Sequence, residues 1–318
     1  MPTRHIAIVT PLLDDWPSLE LLLGELAGLG AQGCSVSVLV VDDGSTTEGD
    51  TPRLAALASR LAGLSIVRLA CNLGHQRAIA VGLVEAARRA GHDFVVVMDS
   101  DGEDRPEDIL RLIAEHEAHP EAIVVANRAE RSEGVGFRLG YSAYKAAFRL
   151  GTGVAIDFGN FCLIPGALLP RLVARPELWN HLAATLVRSR TSLRRVPTAR
   201  GRRYAGQSSM NLVALVAHGL SAISVFATEV FVRFLVLTLL LVGVTGAVIA
   251  AAIGLRIFTE LAIPGWATNV VGLSLVVLLQ LATLMLALTF VMLSNRTAAP
   301  VVPVEFARHY IRRIDVLR

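Results

Sequence analysis

The chain has 318 residues, a formal net charge of +3, a hydrophobic fraction of 53% and a mean hydropathy of +0.54. This length accommodates a domain of about 200 residues plus a second element, and the hydropathy is too high for an ordinary soluble domain. Cys34, Cys71 and Cys162 are scattered, with no CxxC spacing, so we expect reduced packing residues and neither a disulfide framework nor a cysteine metal site.

The first 119 residues alternate between short apolar runs and segments with helical spacing. Strands are predicted at "HIAIVTP", "SVSVLVVDDGS", "LSIVRLACN" and "DFVVVMDSD". Helices are predicted at "PSLELLLGELAGLG", near residues 51–62, at "QRAIAVGLVEAARRAG" and at "RPEDILRLIAEHEAH". This alternation predicts an α/β fold with a mainly parallel, Rossmann-like sheet that is covered by helices on both faces.

Three polar clusters follow predicted strands, at Asp42–Ser45, Asn72–Gln76 and Asp99–Asp104. In open parallel sheets, ligands bind beyond the carboxyl ends of the strands. The clusters therefore predict a functional site along one edge of the sheet.

The most acidic cluster lies in "VVVMDSDGEDRPEDI", residues 95–109. Residues 104–108 suit a helix start, but this does not explain Asp99 and Asp101, which directly follow a buried strand. Two carboxylates so close together call for a cation between them, and oxygen ligands suit Mg²⁺ or Mn²⁺. Glu103 continues the spacing. We predict a metal–diphosphate site with Asp99, Asp101 and Glu103 as ligands.

Two long uncharged runs follow, with 22 residues from Phe234 to Leu255 and 33 from Ala262 to Ser294. Each exceeds the roughly 20 residues that span a bilayer core. A pair of buried core helices is the alternative. A short connection with Pro264 and Gly265 makes the two runs a predicted transmembrane hairpin.

The arginines predict an orientation. Leu182–Thr228 holds seven arginines and no acid, whereas the connection between the two runs carries only Arg256. The segment after Ser294 is also rich in arginine. The positive-inside rule therefore places the N-terminal region and the C-terminal tail in the cytoplasm.

Two segments are predicted to lie along the membrane surface as helices. Residues 209–230 are nearly all apolar but carry serines and Asn211. Residues 295–318 form a basic tail that would be held by anionic lipid. Four of its side chains share one helical face: Phe306, Tyr310, Ile314 and Leu317.

The motifs "VVDDGS" and "DSDGEDRPEDI", together with the C-terminal hairpin, resemble family 2 glycosyltransferases of the GT-A fold. More narrowly, they resemble the polyprenyl-phosphate hexosyltransferases, which include dolichyl-phosphate mannose synthases and bacterial undecaprenyl-phosphate glucosyltransferases. The resemblance covers essentially the whole chain. It implies a GT-A domain over residues 1–208, a juxtamembrane helix over 209–230, two transmembrane helices over 231–294 and a tail over 295–318.

The resemblance also implies residues that bind the nucleotide sugar. These are Pro11 and Asp15 after the first strand, Asp42 and Asp43 after the second, and Asp99. Asp15 stands where the family has glutamate, and Leu13 stands where it has an aromatic residue. The turn "NLGHQRAIA" adds Asn72, His75 and Gln76 as candidates, with a simple turn into a helix as the alternative reading.

On the acceptor side, "GNFCLI" resembles the family's "GDFRLM" segment. Asn160 replaces its carboxylate, so Asp157 is the predicted functional acid. "RYAGQSS" matches the family pattern through Arg203, Gly206 and Ser208. The candidate phosphate ligands are Arg128, Arg131, Asn160, Arg203 and Ser208. For any one of these arginines, the alternative is a charge that faces solvent or lipid headgroups.

A lipid phosphate acceptor would explain why cations matter here. A phosphate monoester is largely dianionic at neutral pH, its second pKa being about 6, so it needs no strong general base. The chemical difficulty is charge, which the metal at Asp101 and the forked donors of arginine can offset. The predicted catalytic residues are Asp101, Asp157, Arg128 and Arg203.

The predicted activity is inverting transfer of a hexose from a nucleotide sugar to polyprenyl phosphate, at the cytoplasmic face of the inner membrane. UDP-hexose with undecaprenyl phosphate is the expected pair, and GDP-mannose is the alternative donor. A processive polysaccharide synthase and a non-catalytic membrane scaffold remain as alternatives from other classes. A QxxRW motif and extra spans, expected of the synthase, are not found in the sequence. We expect Mg²⁺ or Mn²⁺ as cofactor, a homo-oligomer such as a tetramer, and no nucleic-acid partner.

Overall fold

The structure is a computed structural model that describes residues 3–89, 91–128, 145–205, 212–259 and 265–317. The chain divides into two compact units. One comprises Met1–Arg138, Ile156–Val225 and Pro300–Arg318, and the other comprises Leu139–Ala155 and Phe226–Ala299. The C-terminal residues thus return to the unit that holds the predicted functional site.

The first unit is built on an eight-stranded sheet. Its strands are β1 (Arg4–Leu12), β2 (Cys34–Asp42), β3 (Gly63–Leu69), β4 (Phe94–Val97), β5 (Ile123–Arg128), β6 (Cys162–Pro165), β7 (Leu193–Thr198) and β8 (Ile311–Leu317). Their order in the sheet is β7-β5-β6-β4-β1-β2-β3-β8. Strands β4, β1, β2 and β3 run parallel to one another, β5 and β7 are also parallel, and β6 and β8 pair antiparallel with their neighbours.

The helices in the order of the chain are α1 (Trp16–Ala27), α2 (Thr51–Ala58), α3 (His75–Arg89), α4 (Asp108–Ala118), the described part of α5 (residues 145–152), α6 (Leu169–Val173), α7 (Leu182–Arg188), α8 (Leu212–Ser224), α9 (Ala227–Phe258), α10 (Trp266–Thr297) and α11 (Pro303–Phe306). The four strands and four helices predicted before residue 119 are all present. The predicted fold class, a mainly parallel Rossmann-like sheet, is confirmed.

The sheet is buried on both faces because alternate residues of each strand enter different cores. In β1, Ile6 and Ile8 pack with α1 and α4, whereas Ala7 and Val9 pack with α3. Helix α3 comes very close to the sheet at Gly82, where an added Cβ would lie 2.4 Å from Cγ1 of Val9. The middle of α3 is therefore packed directly against β1, and the first turn of the same helix enters the candidate site.

The C-terminal tail is not the surface helix that was predicted from residues 295–318. After α10 ends at Thr297, the described α-helical residues are Pro303–Phe306, and Ile311–Leu317 forms β8, antiparallel to β3. Without β8, β3 would be the edge of the sheet, with unpaired backbone groups. Pairing with the tail satisfies these groups, and Asp315 accepts a hydrogen bond from Nε of Arg68 at 2.7 Å. Partners distant in sequence therefore override the helical spacing of the tail.

The second unit contains α9 and α10, two helices of 32 residues that are long and apolar enough to cross a membrane and pack against each other. At 1.5 Å per residue each is about 48 Å long. The most apolar 18-residue window of each helix has no buried residue. The alternative of two buried core helices is therefore wrong. Between residues 209 and 230 the described helical structure comprises α8 and the first turn of α9.

Candidate active site

The candidate site lies where β1, β2, β3 and β4 end, and the loops that follow them carry most of its side chains. Because these strands are parallel and in register, their carboxyl ends meet at one edge of the sheet. The prediction that the polar clusters gather at this edge is confirmed.

The loops after β1 and β2 are joined by Asp14, which the sequence reading did not select. Its carboxylate accepts hydrogen bonds from the backbone N–H of Thr46 at 2.8 Å and of Thr47 at 2.9 Å. The bonds from Thr47, and then those from Thr46, lower the pKa of Asp14. Its φ of 54° lies in the left-handed region, which aspartate tolerates better than most residues. The neighbouring Asp15 caps α1 by accepting from the N–H of Ser18.

Asp42 and Asp43 are both buried and engaged within the protein. Asp42 pairs with Arg68 at 3.1 Å. Asp43 accepts from the backbone N–H of Leu73 at 2.7 Å and of Gly74 at 2.9 Å. Burial raises the pKa of Asp43, and these two bonds oppose the rise. In this arrangement Asp43 shapes the turn that leads into α3. In the same turn, Oδ1 of Asn72 accepts from the N–H of Gly74.

Pro11, near the end of β1, contributes its backbone carbonyl to the site. This carbonyl accepts a hydrogen bond from Oγ of Ser100 at 3.3 Å.

Residues 99–103 form what we call the carboxylate loop. Oδ1 of Asp101 accepts from the backbone N–H of Glu103 at 3.0 Å, and Oδ2 accepts from Nη2 of Arg203. Glu103 accepts from Nη2 of Arg200. Oδ1 of Asp99 lies 3.3 Å from Nε2 of His75. The structure therefore brings Arg203, predicted as a phosphate ligand, to the carboxylates predicted to bind metal.

The segment 200–204 covers this loop through its backbone as well. The N–H of Gly201 donates to the carbonyl of Glu103 at 3.0 Å, and that of Tyr204 donates to the carbonyl of Asp101 at 2.9 Å. Gly102, with φ of 88°, faces the Tyr204 ring, and a Cβ there would lie 2.8 Å from the ring. The glycine of "DSDGED" is thus needed both for its backbone conformation and for this contact.

The three predicted metal ligands do not converge in a preformed site. Among the described residues, no group of three His, Cys, Asp or Glu side chains could hold a metal ion. Instead, Asp99 faces His75 while Asp101 and Glu103 each face an arginine. Mg²⁺, however, is usually bound through one or two carboxylates plus substrate phosphates. Asp101 and Glu103 fit that role, because both require positive charge beside them and supply oxygen ligands.

Next to Asp99 lies a set of amide and imidazole side chains that we call the amide–imidazole cluster: His75, Gln76, Asn160, His181 and His218. Gln76 Oε1 accepts from the backbone N–H of Leu182 at 2.7 Å, and its Nε2 donates to Oδ1 of Asn160 at 3.0 Å. Nδ2 of Asn160 lies 3.0 Å from Nε2 of His75. Burial lowers the pKa of His75. Asp99, followed by Asp43 and Asp101, raises it by more than burial lowers it, so the pKa lies above its usual value. The His75 ring remains 46% exposed and accessible.

Asn160 and Asp157, which were both predicted on the acceptor side, have different partners in the structure. Asn160 joins the amide–imidazole cluster, whereas both carboxylate oxygens of Asp157 accept from Nε of Arg195 at 3.1 Å. Arg128 ends β5, and its side chain lies outside what the structure describes. Arg131 and Ser208 lie outside the described residues.

The sequence reading missed His181 and the role of Arg200. His181 immediately precedes α7 and caps it, with Nδ1 accepting from the N–H of Ala184. A polar residue before a helical run is a cap signal, but the contact of its other nitrogen with His218 of α8 depends on folding. Arg200 is one of seven arginines between residues 182 and 228, and nothing in that run marks the one that meets Glu103.

Curated relatives share part of this chain. An undecaprenyl-phosphate 4-deoxy-4-formamido-L-arabinose transferase of Pseudomonas aeruginosa is 30% identical over 160 residues, which are 50% of this chain and 46% of that protein. Its counterpart in Pectobacterium carotovorum is 27% identical over 158 residues, 49% and 47% of the two chains. The chain thus spans about half the length of these relatives. An uncharacterized glycosyltransferase of Bacillus subtilis is 26% identical over 244 residues, 74% of this chain and 69% of that one.

Solved structures share the fold. Glucosyl-3-phosphoglycerate synthase from Mycobacterium tuberculosis, in complex with Mn²⁺ and UDP-glucose, superposes with a TM-score of 0.50 at 17% identity, over 71% of this chain and 79% of that one. The same enzyme with phosphoglyceric acid also bound gives a TM-score of 0.51, over 71% and 80%. At this identity the likeness concerns the fold alone.

A protein-family model decides the family. The model described as "Glycosyl transferase family 2" matches residues 8–168, half of the chain, which include the loops after β1, β2, β3 and β4. The chain belongs to glycosyl transferase family 2.

Proposed function

We propose that this protein transfers one sugar from a nucleotide sugar to a polyprenyl phosphate. The observation that carries the proposal is the carboxylate loop with its two covering arginines, at the carboxyl edge of a family 2 sheet, in a chain that also has two helices able to span a bilayer. Relatives named as undecaprenyl-phosphate transferases support the choice of acceptor.

The chemistry follows from charge. An oxygen of the acceptor phosphate forms the new bond to the anomeric carbon, while the bond from that carbon to the diphosphate breaks and its electron pair leaves with the nucleoside diphosphate. Attack opposite the leaving group inverts the anomeric centre. The phosphate is already ionised at neutral pH, so the main task of the protein is to offset negative charge on both reactants.

The described residues can divide that task. Asp101 and Glu103 would hold Mg²⁺ or Mn²⁺, which when bound supplies charge neutralisation for the departing diphosphate. Arg203 is beside Asp101 and, with Arg200, can contribute guanidinium donors to phosphate oxygens. Asp157, held by Arg195, would orient the acceptor rather than remove a proton from it. Arg128 and Arg131 remain proposed phosphate ligands, as does Ser208.

The donor pocket is proposed at the ends of β1, β2 and β3. Pro11, Asp15, Asp42, Asp43 and Asn72 lie in or beside these loops, and Asp43 holds the turn that carries His75 and Gln76. UDP-hexose is the proposed donor, with GDP-mannose as the second candidate. The relatives' names add nucleotide-linked 4-deoxy-4-formamido-L-arabinose to the sugars that should be tested.

A membrane location suits an acceptor that cannot leave the bilayer. Each methylene group withdrawn from lipid into water costs about 0.8 kcal/mol, so a long prenyl tail keeps its phosphate at the membrane surface. We propose an inner-membrane protein with the sheet-bearing unit and the C-terminus in the cytoplasm. The arginine distribution supports this orientation, and α8, with exposed Val213, Val216 and Leu220, supports contact with the surface.

The test uses the full chain in detergent with undecaprenyl phosphate, Mg²⁺ or Mn²⁺, and one radiolabelled nucleotide sugar at a time. We expect one donor to give a lipid carrying a single sugar, and the matched Asp101→Asn chain to give none. A polymeric product would favour the processive synthase. Absence of lipid-linked product with every donor would favour the scaffold and contradict the proposal.

A further inference from the structure

Two histidines from different helices face each other at one end of the amide–imidazole cluster. Nε2 of His181, directly before α7, lies 3.1 Å from Nε2 of His218 on α8, and the ring centroids are 4.5 Å apart. His181 is 5% exposed. Neither imidazole has a role in the transfer chemistry described above.

The hydrogen bonds give this pair a direction. Nδ1 of His181 accepts from the backbone N–H of Ala184, so this nitrogen carries no proton. Burial, and then the neighbouring His218 and His75, lowers the pKa of His181 to about 3, so the ring is neutral at pH 7. A neutral imidazole carries one proton, which must be on Nε2. His181 therefore donates, and Nε2 of His218 accepts.

Helix α8 has two distinct faces. Val213, Val216 and Leu220 form an exposed apolar stripe with i, i+3 and i+7 spacing, whereas His218 and the buried Ala222 lie on the opposite side. A second contact with α7 follows directly after α8, because Nη1 of Arg188 donates to the carbonyl of Val225 at 2.8 Å. The apolar stripe is the part of α8 that meets the bilayer in the proposed function, and the His218 face fastens it to α7.

From α7 the contacts continue to the site in one direction. The backbone N–H of Leu182 fixes the carbonyl oxygen of Gln76, so the Gln76 NH₂ must point to Asn160. Nδ2 of Asn160 lies 3.0 Å from Nε2 of His75, and the same nitrogen lies 3.3 Å from Oδ1 of Asp99. A shift of the first turn of α7 would therefore reorient the Gln76–Asn160 pair.

We propose that His218 is a positioning residue for the acceptor phosphate: by accepting from His181 it seats α8 against α7 and holds the Gln76–Asn160 pair on the acceptor side. The inference rests on the proposed transfer to polyprenyl phosphate. Loss of the accepting nitrogen should raise the KM for the acceptor, because α8 and the pair would shift together. The KM for the nucleotide sugar should change less, because the loops after β1, β2 and β4 are held by other contacts and, of the pair, Gln76 alone is proposed for the donor pocket.

The direction of the bond allows a sharp test with full-length variants. His218→Gln offers an accepting oxygen to His181, whereas His218→Lys offers only donors. We expect His218→Lys to raise the KM for polyprenyl phosphate about tenfold, and His218→Gln to stay within about twofold of wild type. Ser224→Ala, at the exposed end of the same helix, is the matched control and should behave as wild type.

Hydrogen–deuterium exchange of residues 212–224 gives a second readout that does not need activity. Exchange should rise in His218→Lys and not in His218→Gln or Ser224→Ala. Equal acceptor KM and equal exchange in the Lys and Gln variants would overturn the inference. If wild type transfers no sugar to polyprenyl phosphate, the proposed function fails, and the exchange comparison still decides whether His218 seats α8.

Discussion

The two sides of the candidate site are held together by different physics. The carboxylate loop is fastened by charge, with Arg200 and Arg203 on Glu103 and Asp101. The amide–imidazole cluster is fastened by directional hydrogen bonds between neutral groups, from Leu182 through Gln76 to Asn160. Charged contacts can exchange partners when a diphosphate arrives, whereas a chain of neutral hydrogen bonds specifies one geometry. The difference suits the proposed function, in which the donor side adapts to incoming charge and the acceptor side holds one orientation.

The largest effect should come from Asp101→Asn. Removing this charge leaves Arg203 with the longer contact to Glu103 at 3.7 Å and takes one carboxylate from the proposed cation site, so transfer should fall at least a thousandfold. Glu121→Gln, an exposed carboxylate, is the control. Rates of lipid glycosylation are measured for both variants, and for wild type with EDTA. Near-normal turnover of Asp101→Asn, with EDTA harmless to wild type, would remove the metal assignment.

Gln76→Met tests the amide–imidazole cluster by replacing the Gln76 amide with an apolar group of similar length. The backbone N–H of Leu182 and the Asn160 oxygen would both lose a partner, so kcat/KM for the acceptor should fall about tenfold. Arg77→Met, the exposed neighbour on α3, should leave it unchanged. An equal loss in kcat/KM for the nucleotide sugar would show that the cluster does not serve the acceptor side alone.

Asp157→Asn separates orientation from proton transfer. The variant keeps a hydrogen-bonding group for Arg195 but loses the charge, and we expect kcat to fall about tenfold at every pH between 6 and 9. Because the acceptor phosphate is already ionised, raising the pH should not restore the rate. A steep recovery of kcat at high pH would instead identify Asp157 as a general base.

Acidification should destabilise the folded protein through His181 of the amide–imidazole cluster. The folded-state pKa of His181 is lowered to about 3, whereas in the unfolded chain it is near 6.5. Below pH 6.5 the unfolded state therefore binds a proton that the folded state does not. The free energy of unfolding therefore falls by up to about 1.4 kcal/mol for each pH unit between pH 6.5 and pH 3. Above pH 6.5 this group has no effect on stability. Thermal melting in detergent should show a smaller acid slope in His181→Asn; an equal slope would contradict a neutral His181.

The smallest effect is expected at β8. Asp315→Asn weakens the pair with Arg68, which also contacts Asp42 at the end of β2. These side chains are partly exposed, so the free energy of unfolding should fall by about 0.5–1 kcal/mol, and less at high salt. Chemical denaturation at two salt concentrations measures this loss of stability. Asp50→Asn is not a suitable control, because Asp50 caps α2. A loss that is independent of salt would mean that strand pairing, not charge, holds the tail.

The parts that could be predicted from sequence are those in which neighbouring residues decide the outcome. Four strands, four helices and two long apolar helices follow from hydrophobic periodicity and run length. The polar clusters could be assigned to one edge of the sheet because parallel strands with helical connections leave no other arrangement. The pattern of Asp99, Asp101 and Glu103 likewise indicated where positive charge must gather.

Only the tertiary structure decided the partners of those residues. The tail has helical spacing, yet Ile311–Leu317 becomes a strand because β3 offers it a row of unpaired backbone groups more than 240 residues earlier in the chain. Similarly, nothing local distinguishes Arg200 among its neighbours, identifies Asp101 as the partner of Arg203, or pairs His181 with His218. Local sequence determines which conformations are favourable for a segment. Charge pairing and hydrogen-bond direction depend on atoms brought within about 3 Å of each other, and only the folded chain does that.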